Sequence, residues 1–573
     1  MTQLRVGIDI ETNLAHNKIH LAKTIDLDTG EIRTWKEASS LAAFLKDATL
    51  IAAHNGIGFD FKVLNKHWNT TIAKSQQFDT LILSRLLEPS REKGHSLESW
   101  GEALGTRKTD YRKIWEWMKD RPEAYPGECF DDPIHSLLDY YCEGDVKVLK
   151  ALYHHLTELK EKQGFSDRSV WLEFEVARII TEQEDNGFKL DVPYATVLLT
   201  DIKTKMDGIY DKMQERWPPY VVERYSEKTG KRLKDTVVTF NPGSRKQVGE
   251  KLIELGWKPK EFTETGQPKV DETTLAAAKI PEAQMIAEYF LLQKRVAQIE
   301  SWIEAVESDG RVHGRVITNG AVTGRMTHSG PNMAQIPNSD SPYGHECRAC
   351  WTVEDGNVLV GCDASSLELR MLAHYMRNAK YTEAVINGKS EDGTDIHTIN
   401  QRAAGLATRS QAKTFIYAFL YGAGPAKIGS IVGGSAEQGR KLMQTFLRKT
   451  PALEKLKEKV DKYAAKGWVP GLDGRKIWVR SEHSALNSLL QGAGAIVMKQ
   501  AIVLAIQNLK ERGVWFKLVA SVHDEYQFET RSEYAELLGV TVKQAIVDAG
   551  IAFSLRCPLD GEFKIGRNWK ETH

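Results

Sequence analysis

The 573-residue sequence has few cysteines, no excess charge of either sign and no long apolar run. Six scattered cysteines in so long a chain argue against a disulfide framework. The CxxC pair of Cys347 and Cys350 has no second pair to complete a zinc site, so we interpret both as ordinary cysteines. Without eighteen consecutive apolar residues, and with an N-terminus that enters a strand pattern directly, we expect a cytoplasmic protein with no membrane span.

Charge is balanced, with 77 basic and 77 acidic residues. Neutral totals can hide a basic cleft beside clustered carboxylates, so a nucleic-acid partner is neither supported nor excluded. The chain is too long for one ordinary core, which predicts two or three domains. Short strands alternate with helices up to about residue 165, long charged helices follow to about 310, and strands then bracket further helices.

The first set of candidate functional residues lies in the N-terminal part. Asp9 and Glu11 leave the same face of the strand VGIDIET, although such pairs are also common on exposed strands. Asp60 follows a glycine-rich turn, and Tyr141 and Asp145 share a helix face at i and i+4. Four acids with a tyrosine suit a two-metal site that hydrolyses a phosphodiester, with Tyr141 orienting the attacking water.

A second acidic set lies in the C-terminal part. Asp363 ends the apolar strand NVLVGCDAS, and His523 and Asp524 occupy a predicted hairpin tip in KLVASVHDEYQFE. An aspartate at a strand end is often only a turn former or a helix cap. Together, Asp363 and Asp524 can form a two-metal site for phosphoryl or nucleotidyl transfer.

The run RSQAKTFIYAFLYGAG places Arg409, Lys413, Tyr417 and Tyr421 at four-residue steps. On an α-helix these residues form one slanting stripe. Cations near the helix start would attract a triphosphate, and the tyrosines would lie where a sugar and a base fall. The alternative is an amphipathic helix with snorkelling cations and core tyrosines.

The motifs in order carry a family resemblance. The first acidic set resembles the three motifs of DnaQ-like 3′-5′ proofreading exonucleases. The segments TNGAVTGRMTHSGPNMAQIPN, DASSLELR, TDIHT, RSQAKTFIYAFLYG, NSLLQGAGA and VHDE resemble family A DNA polymerases over residues 170–573. The whole chain is similar to the replicative polymerases of short-tailed phages.

This resemblance implies a multidomain α/β fold. It implies an RNase H-like exonuclease domain (1–165), a helical thumb (166–310), and an antiparallel-sheet palm with helical fingers (311–573, fingers about 376–475). The implied activity is DNA-directed DNA synthesis with 3′-5′ exonuclease proofreading, in phage genome replication within the host cytoplasm. Two Mg²⁺ ions per site, or Mn²⁺ in their place, are the implied cofactors.

The resemblance also implies roles for single residues. The implied metal ligands are Asp9, Glu11, Asp60 and Asp145 in the exonuclease and Asp363, Asp524 and the carbonyl of Ala364 in the polymerase. The implied nucleotide contacts are His397, Arg409 and Lys413 on the triphosphate, Tyr417 under the sugar, and Tyr421 with Glu368 closing off the 2′ position. The implied DNA contacts are Arg325, Gln491 and His523.

The implied partners are primer-template DNA, deoxynucleoside triphosphates and a replisome helicase-primase, with the chain itself a monomer. Phage relatives carry a large thumb insertion that captures thioredoxin. In this sequence the segment at the corresponding position, about residues 217–240, is too short to contain such an insertion, so we expect no thioredoxin partner. A single-subunit RNA polymerase is one alternative, which Glu368 and the exonuclease motifs disfavour. A chain active only as a nuclease and a non-catalytic nucleic-acid-binding protein are the others.

Overall fold

The computed structural model describes residues 3–106, 108, 113, 116, 131 and 135–573. Up to residue 186 the strands are β1 (Leu4–Thr12), β2 (Ile19–Asp26), β3 (Ile32–Trp35), β4 (Ala48–Ala53) and β5 (Gln77–Asp79). The helices of the same stretch are α1 (Ala38–Lys46), α2 (Asp60–His67), α3 (Thr80–Leu87), α4 (Leu97–Ala103), α5 (His135–Gln163) and α6 (Asp167–Asn186).

Helices dominate the next stretch, residues 187–359. Its strands are β6 (Phe188–Leu190), β7 (Tyr220–Tyr225), β8 (Arg232–Val238), β9 (Arg311–Val312), β10 (Arg315–Ile317), β11 (Thr327–Ser329), β12 (Trp351–Thr352) and the start of β13 (Asn357–Ala364). Its helices are α7 (Val192–Arg216), α8 (Arg245–Glu254), α9 (Glu272–Ala277), α10 (Pro281–Glu304) and α11 (Gly344–Ala349).

The remaining elements follow β13. The helices are α12 (Leu367–Met376), α13 (Ala379–Asn387), α14 (Ile396–Ala404), α15 (Arg409–Leu420), α16 (Pro425–Ile431), α17 (Ala436–Lys449), α18 (Pro451–Ala464), α19 (Ala485–Glu511) and α20 (Ala535–Ala552). The strands are β14 (Trp468–Pro470), β15 (Lys476–Trp478), β16 (Phe516–Val522), β17 (Glu525–Arg531) and β18 (Gly561–Gly566).

The chain divides into two compact units. One comprises Met1–Asn186, Arg315–Ala334 and Val360–Ile565, and the other Gly187–Gly314, Gln335–Leu359 and Gly566–His573. Helix α6, which the sequence analysis assigned to a thumb, therefore packs in the first unit. The expected division at residues 165 and 310 stays a prediction about functional domains.

The N-terminal sheet of the first unit has the order β3-β2-β1-β4-β5. Strand β1 pairs antiparallel with β2 and parallel with β4. Val6, Ile8 and Ile10 alternate along β1 and are buried in the core, as a strand with one core-facing side requires. Asp9 and Glu11 consequently share the opposite side, towards which α5 packs.

A second sheet of the first unit has the order β16-β17-β13-β18. Strands β16 and β17 form an antiparallel hairpin in which Val522 faces Glu525. Helix α19 runs through the core beside α20. Gly492 permits its close approach to β15, because a Cβ there would lie 2.3 Å from Ile477 Cδ1.

A buried charge network joins the N-terminal part of the first unit to these later elements. Glu173 on α6 accepts hydrogen bonds from Arg475 and Lys499, each at 2.5 Å. Asp473 accepts from the same arginine at 2.7 Å. All four side chains are at most 2% exposed. Because an unpaired buried charge is costly, this network holds α6 against α19 and the β14–β15 turn.

The second unit is built on a pair of long helices, α7 and α10, which pack together. Short strands form a sheet of order β12-β6-β9. Strands β7 and β8 form a hairpin within residues 217–240, and their side chains are almost all exposed.

One helical segment among the described residues, Glu482–Glu511, is long and apolar enough to span a membrane. However, 83% of its most apolar window is buried inside the protein. That burial is typical of a core helix.

Candidate active sites

The first acidic set comes together on β1, α2 and α5. Asp9 and Glu11 lie on β1, Asp60 begins α2, and Asp145 lies on α5. Glu11, Asp60 and Asp145 are at most 7% exposed. Tyr141 lies one helical turn before Asp145, so the predicted i and i+4 relation is confirmed.

Burial and mutual repulsion dominate the electrostatics of this cluster. Burial, with the neighbouring charge of Asp9, raises the pKa of Asp145 to about 7. The pKa values of Glu11 and Asp60 are raised well above the ordinary range for the same two reasons. Such a group of carboxylates is fully ionised near neutral pH only if cations are present.

The residues present fit hard divalent cations. Ligand atoms of Asp9, Glu11 and Cys142 lie within 4.8 Å of one another, and of these the two carboxylates are the ligands that suit a hard cation. The Oδ1 atom of Asp145 is buried and accepts no hydrogen bond from the described residues. Carboxylate oxygens are the ligands that Mg²⁺ and Mn²⁺ prefer, so this cluster can hold such ions.

Two residues of this site were missed by the sequence analysis. Lys108 Nζ donates to Asp145 Oδ2 at 2.5 Å and lies 4.3 Å from the centre of the Tyr141 ring. The thiol of Cys142 donates to Asp9 Oδ2 at 3.3 Å. Cys142 could have been found, since it lies three residues before Asp145 on the same helix. Lys108 is 37 residues away from Asp145, and no local pattern connects them.

Asp79 holds in place the turn that precedes Asp60 and α2. Its carboxylate caps α3 by accepting from the amides of Leu81 and Ile82. It also accepts from the amides of Asn55 and Ile57, at 3.2 and 3.0 Å. This fully buried side chain therefore holds the glycine-rich turn before α2 in place.

The second acidic set lies on the sheet of β16, β17, β13 and β18. Asp363 is at the end of β13, and His523 and Asp524 form the two-residue turn between β16 and β17, as predicted. The amide of Ala364 donates to the carbonyl oxygen of Asp524 at 3.0 Å, which brings the two segments together. His523 has a φ of 56°, the left-handed conformation that such a tight turn uses.

Burial raises the pKa of Asp524, while His523 and Arg325 oppose the shift. Asp363 is exposed and Asp524 is half-buried. Two carboxylates on adjoining backbone segments are a donor set that fits divalent cations.

Glu368, at the start of α12, contacts two other predicted residues. Its carboxylate accepts from the Tyr421 hydroxyl at 2.7 Å and pairs with Arg325 at 3.1 Å. Arg325 and His523 line one small cavity. Gln491 is half-buried on α19.

The predicted stripe lies on α15. The helix runs over Arg409–Leu420 with Thr408 as its N-cap, and Tyr421 follows as the C-cap residue. Arg409 and Lys413 are exposed and Tyr417 is half-buried. The apolar residues of the other face are buried, namely Ala412, Phe415, Ile416, Phe419 and Leu420. Tyr421 is 47% exposed, so it is not a core tyrosine.

Asp395 orients the cationic end of the stripe, and it was not predicted. Its carboxylate caps α14 and accepts from Arg409 Nε at 3.0 Å. His397 follows on α14, with its ring centre 6.3 Å from that of Tyr417. Burial and the two cations of the stripe lower the pKa of His397. Burial, Glu368 and Asp524 raise the pKa of Tyr417, which links the stripe to the acidic set.

The fold and these motifs define a polymerase of a known family. The family model "DNA polymerase family A" matches residues 221–571. The chain belongs to DNA polymerase family A.

Phage and bacterial proteins are among its relatives. It is 34% identical to the DNA-directed DNA polymerases of Enterobacteria phage T3 and Escherichia phage T7, with 99% of each chain covered. It is 26% identical to DNA polymerase I of Aquifex aeolicus, covering 91% of this chain and 88% of that protein. The resemblance to phage polymerases is therefore confirmed.

A solved structure shares the fold. The POL domain of Pol1 from M. smegmatis, in complex with DNA primer-template and dNTP, superposes with a TM-score of 0.77. It is 20% identical and covers 100% of this chain and 96% of that one. The family A polymerase fold, a multidomain mixture of helices and sheets, is thereby confirmed.

The alignments with the phage polymerases span 707 positions, whereas this chain has 573 residues. The relatives thus contain sequence that has no counterpart here. The chain lacks the large thumb insertion. The β7–β8 hairpin lies within residues 217–240, the segment where the sequence analysis expected the insertion to be missing.

Proposed function

We propose that this chain is a replicative DNA polymerase that extends a primer 3′ end with deoxynucleotides and removes mispaired ends by 3′-5′ hydrolysis. The observation that carries the proposal is the presence of two separate acidic centres in one family A chain. The first lies beside the five-stranded sheet of order β3-β2-β1-β4-β5, which supports the expected RNase H-like exonuclease domain, and the second adjoins the stripe of α15 through the Glu368–Tyr421 hydrogen bond. The substrates follow those of the M. smegmatis relative, primer-template DNA and a deoxynucleoside triphosphate.

Synthesis is assigned to the second acidic centre. Asp363, Asp524 and the Ala364 carbonyl would hold two Mg²⁺ ions, which activate the primer 3′-oxygen and neutralise the leaving pyrophosphate when bound. His397, Arg409 and Lys413 bind the triphosphate. The ion pair with Asp395 keeps the Arg409 guanidinium in a defined orientation before a nucleotide arrives.

Base-pair and sugar selection are assigned to the other end of the stripe. Tyr417 lies under the incoming sugar, and Glu368 with Tyr421 closes off the 2′ position. The hydrogen bond between those two side chains supports this assignment, because it holds the carboxylate in a fixed position. Arg325 and Gln491 contact minor-groove acceptors, which correct base pairs share, and His523 approaches the primer terminus.

Proofreading is assigned to the first acidic centre. Asp9, Glu11, Asp60 and Asp145 would hold two further Mg²⁺ ions, which supply hydroxide and charge neutralisation when bound. Tyr141 orients the attacking water. The repulsion among these buried carboxylates supports the assignment, since it favours bound cations.

Biological context completes the proposal. The phage relatives favour genome replication in the host cytoplasm with a helicase-primase, and the chain is proposed to act as a monomer without thioredoxin. The expected domains are an exonuclease (1–165), a thumb (166–310) and a palm with fingers (311–573).

The proposal is tested with the purified chain alone on a labelled DNA primer annealed to a long template. We expect extension when Mg²⁺ and all four deoxynucleotides are present, and shortening of the primer when nucleotides are left out. A preference for ribonucleotides would identify an RNA polymerase instead. Shortening under both conditions would identify a nuclease only, and an EDTA-treated sample is the control.

A further inference from the structure

Lys108 lies inside the first acidic centre, although no motif includes it. Its ammonium contacts Asp145 Oδ2 at 2.5 Å and the face of the Tyr141 ring at 4.3 Å. The lysine side chain is 19% exposed and that of Asp145 is 5% exposed. The contact is therefore shielded from solvent, unlike the surface pairs that contribute little.

The position of this ammonium matters for two reasons. It bridges the two α5 residues that are assigned to metal binding and water orientation, and so fixes their side chains relative to each other. It also brings one positive charge into a group of four carboxylates. A fixed cation at this distance weakens the attraction of the same carboxylates for further cations.

We propose that Lys108 is a positioning residue of the 3′-5′ exonuclease site, which holds Tyr141 and Asp145 in register and limits how tightly the site binds divalent metal. This inference rests on the proposed exonuclease function. It extends that function by assigning an accessory residue outside the three motifs. The alternative is that Lys108 only stabilises the fold through its contacts with α5.

The test is made in the Asp363→Asn, Asp524→Asn background, so that the exonuclease centre dominates Mn²⁺ binding. Lys108→Met removes the charge at similar length, and Lys108→Arg retains it. The matched control is Lys93→Met, which removes an exposed lysine 3.9 Å from Glu102 in the same unit. Mn²⁺ affinity is measured by calorimetry and electron paramagnetic resonance, and hydrolysis of single-stranded oligonucleotide by steady-state kinetics.

We expect Lys108→Met to bind Mn²⁺ roughly tenfold more tightly, because one opposing charge is removed. We expect its kcat to fall by roughly tenfold or more with KM little changed, because Tyr141 and Asp145 lose their common partner. Lys108→Arg should keep the Mn²⁺ affinity and kcat close to those of the parent, and Lys93→Met should match the parent in both. If Lys108 only stabilises the fold, Lys108→Met would change thermal stability alone.

Unchanged Mn²⁺ affinity and kcat in Lys108→Met, in a parent that degrades DNA, would overturn the inference and leave the exonuclease function standing. A parent that does not degrade DNA would overturn the exonuclease function itself. If Lys108→Met does not fold, Lys108→Gln takes its place in both measurements, and the same criteria decide.

Discussion

The two acidic centres use the same chemical groups in different surroundings. In the first centre, the carboxylates come from a strand and from two helices, and most of them are buried. In the second, Asp363 lies exposed near the end of a strand and Asp524 lies in a hairpin turn. Arg325 and the stripe of α15 place positive charge beside the second centre.

The two centres differ in how strongly their carboxylates repel one another. The first centre brings four carboxylates together, three of them buried, and their raised pKa values show that bound metal ions or protons would stabilise the group. The second centre has one exposed carboxylate, Asp363, and one half-buried carboxylate, Asp524. Proofreading and synthesis therefore should respond differently to loss of single carboxylates and to pH.

The largest expected effect separates synthesis from degradation. Asp524→Asn should lower primer extension by roughly a thousandfold or more, because the second centre loses one of its two assigned carboxylate ligands. Degradation of the same primer should remain within about twofold of wild type. The measurement is extension and shortening of one labelled primer. Equal loss of both activities would show that the centres are not independent.

The reciprocal change is Asp9→Ala with Glu11→Ala. Degradation should fall by a comparable factor, since two buried ligands of the first centre are removed together. The rate of nucleotide addition should stay near that of wild type. Retained degradation in this double variant would contradict the assignment of β1 to the exonuclease site.

The smallest expected effect concerns stability in the absence of metal. The folded-state pKa of Asp145 is about 7, against an ordinary value of 3.8. The folded protein therefore holds a proton that the unfolded chain releases between these values, and stability falls as pH rises from about 4 to about 7. The slope contributed by this group is at most about 1.4 kcal/mol per pH unit.

We expect this pH dependence in EDTA-treated wild type by thermal or urea unfolding. It should be reduced in Asp145→Asn and retained in Asp47→Asn, which changes an exposed carboxyl of the same unit. Saturating Mg²⁺ should weaken the dependence, since bound cations favour the ionised carboxylates. An identical slope in wild type and Asp145→Asn would exclude Asp145 as its source.

Short-range spacing made much of the second centre predictable. The four-residue steps from Arg409 to Tyr417 require only that the segment be helical, and α15 is. The hairpin turn at His523 and Asp524 follows from two apolar strands with polar residues between them. The helix end was less predictable, because Tyr421 lies just beyond the last helical turn.

The sequence by itself determined which residues share a strand or helix face, such as Asp9 with Glu11 and Tyr141 with Asp145, because the periods of strands and helices are local properties. Only the tertiary structure decided that Lys108 contacts Asp145, and that Glu173 contacts Arg475 and Lys499 about 300 residues later. Such pairs form because an unpaired buried charge is costly, and packing decides which distant residue becomes its partner. The local periodicity of a strand or helix therefore cannot predict them.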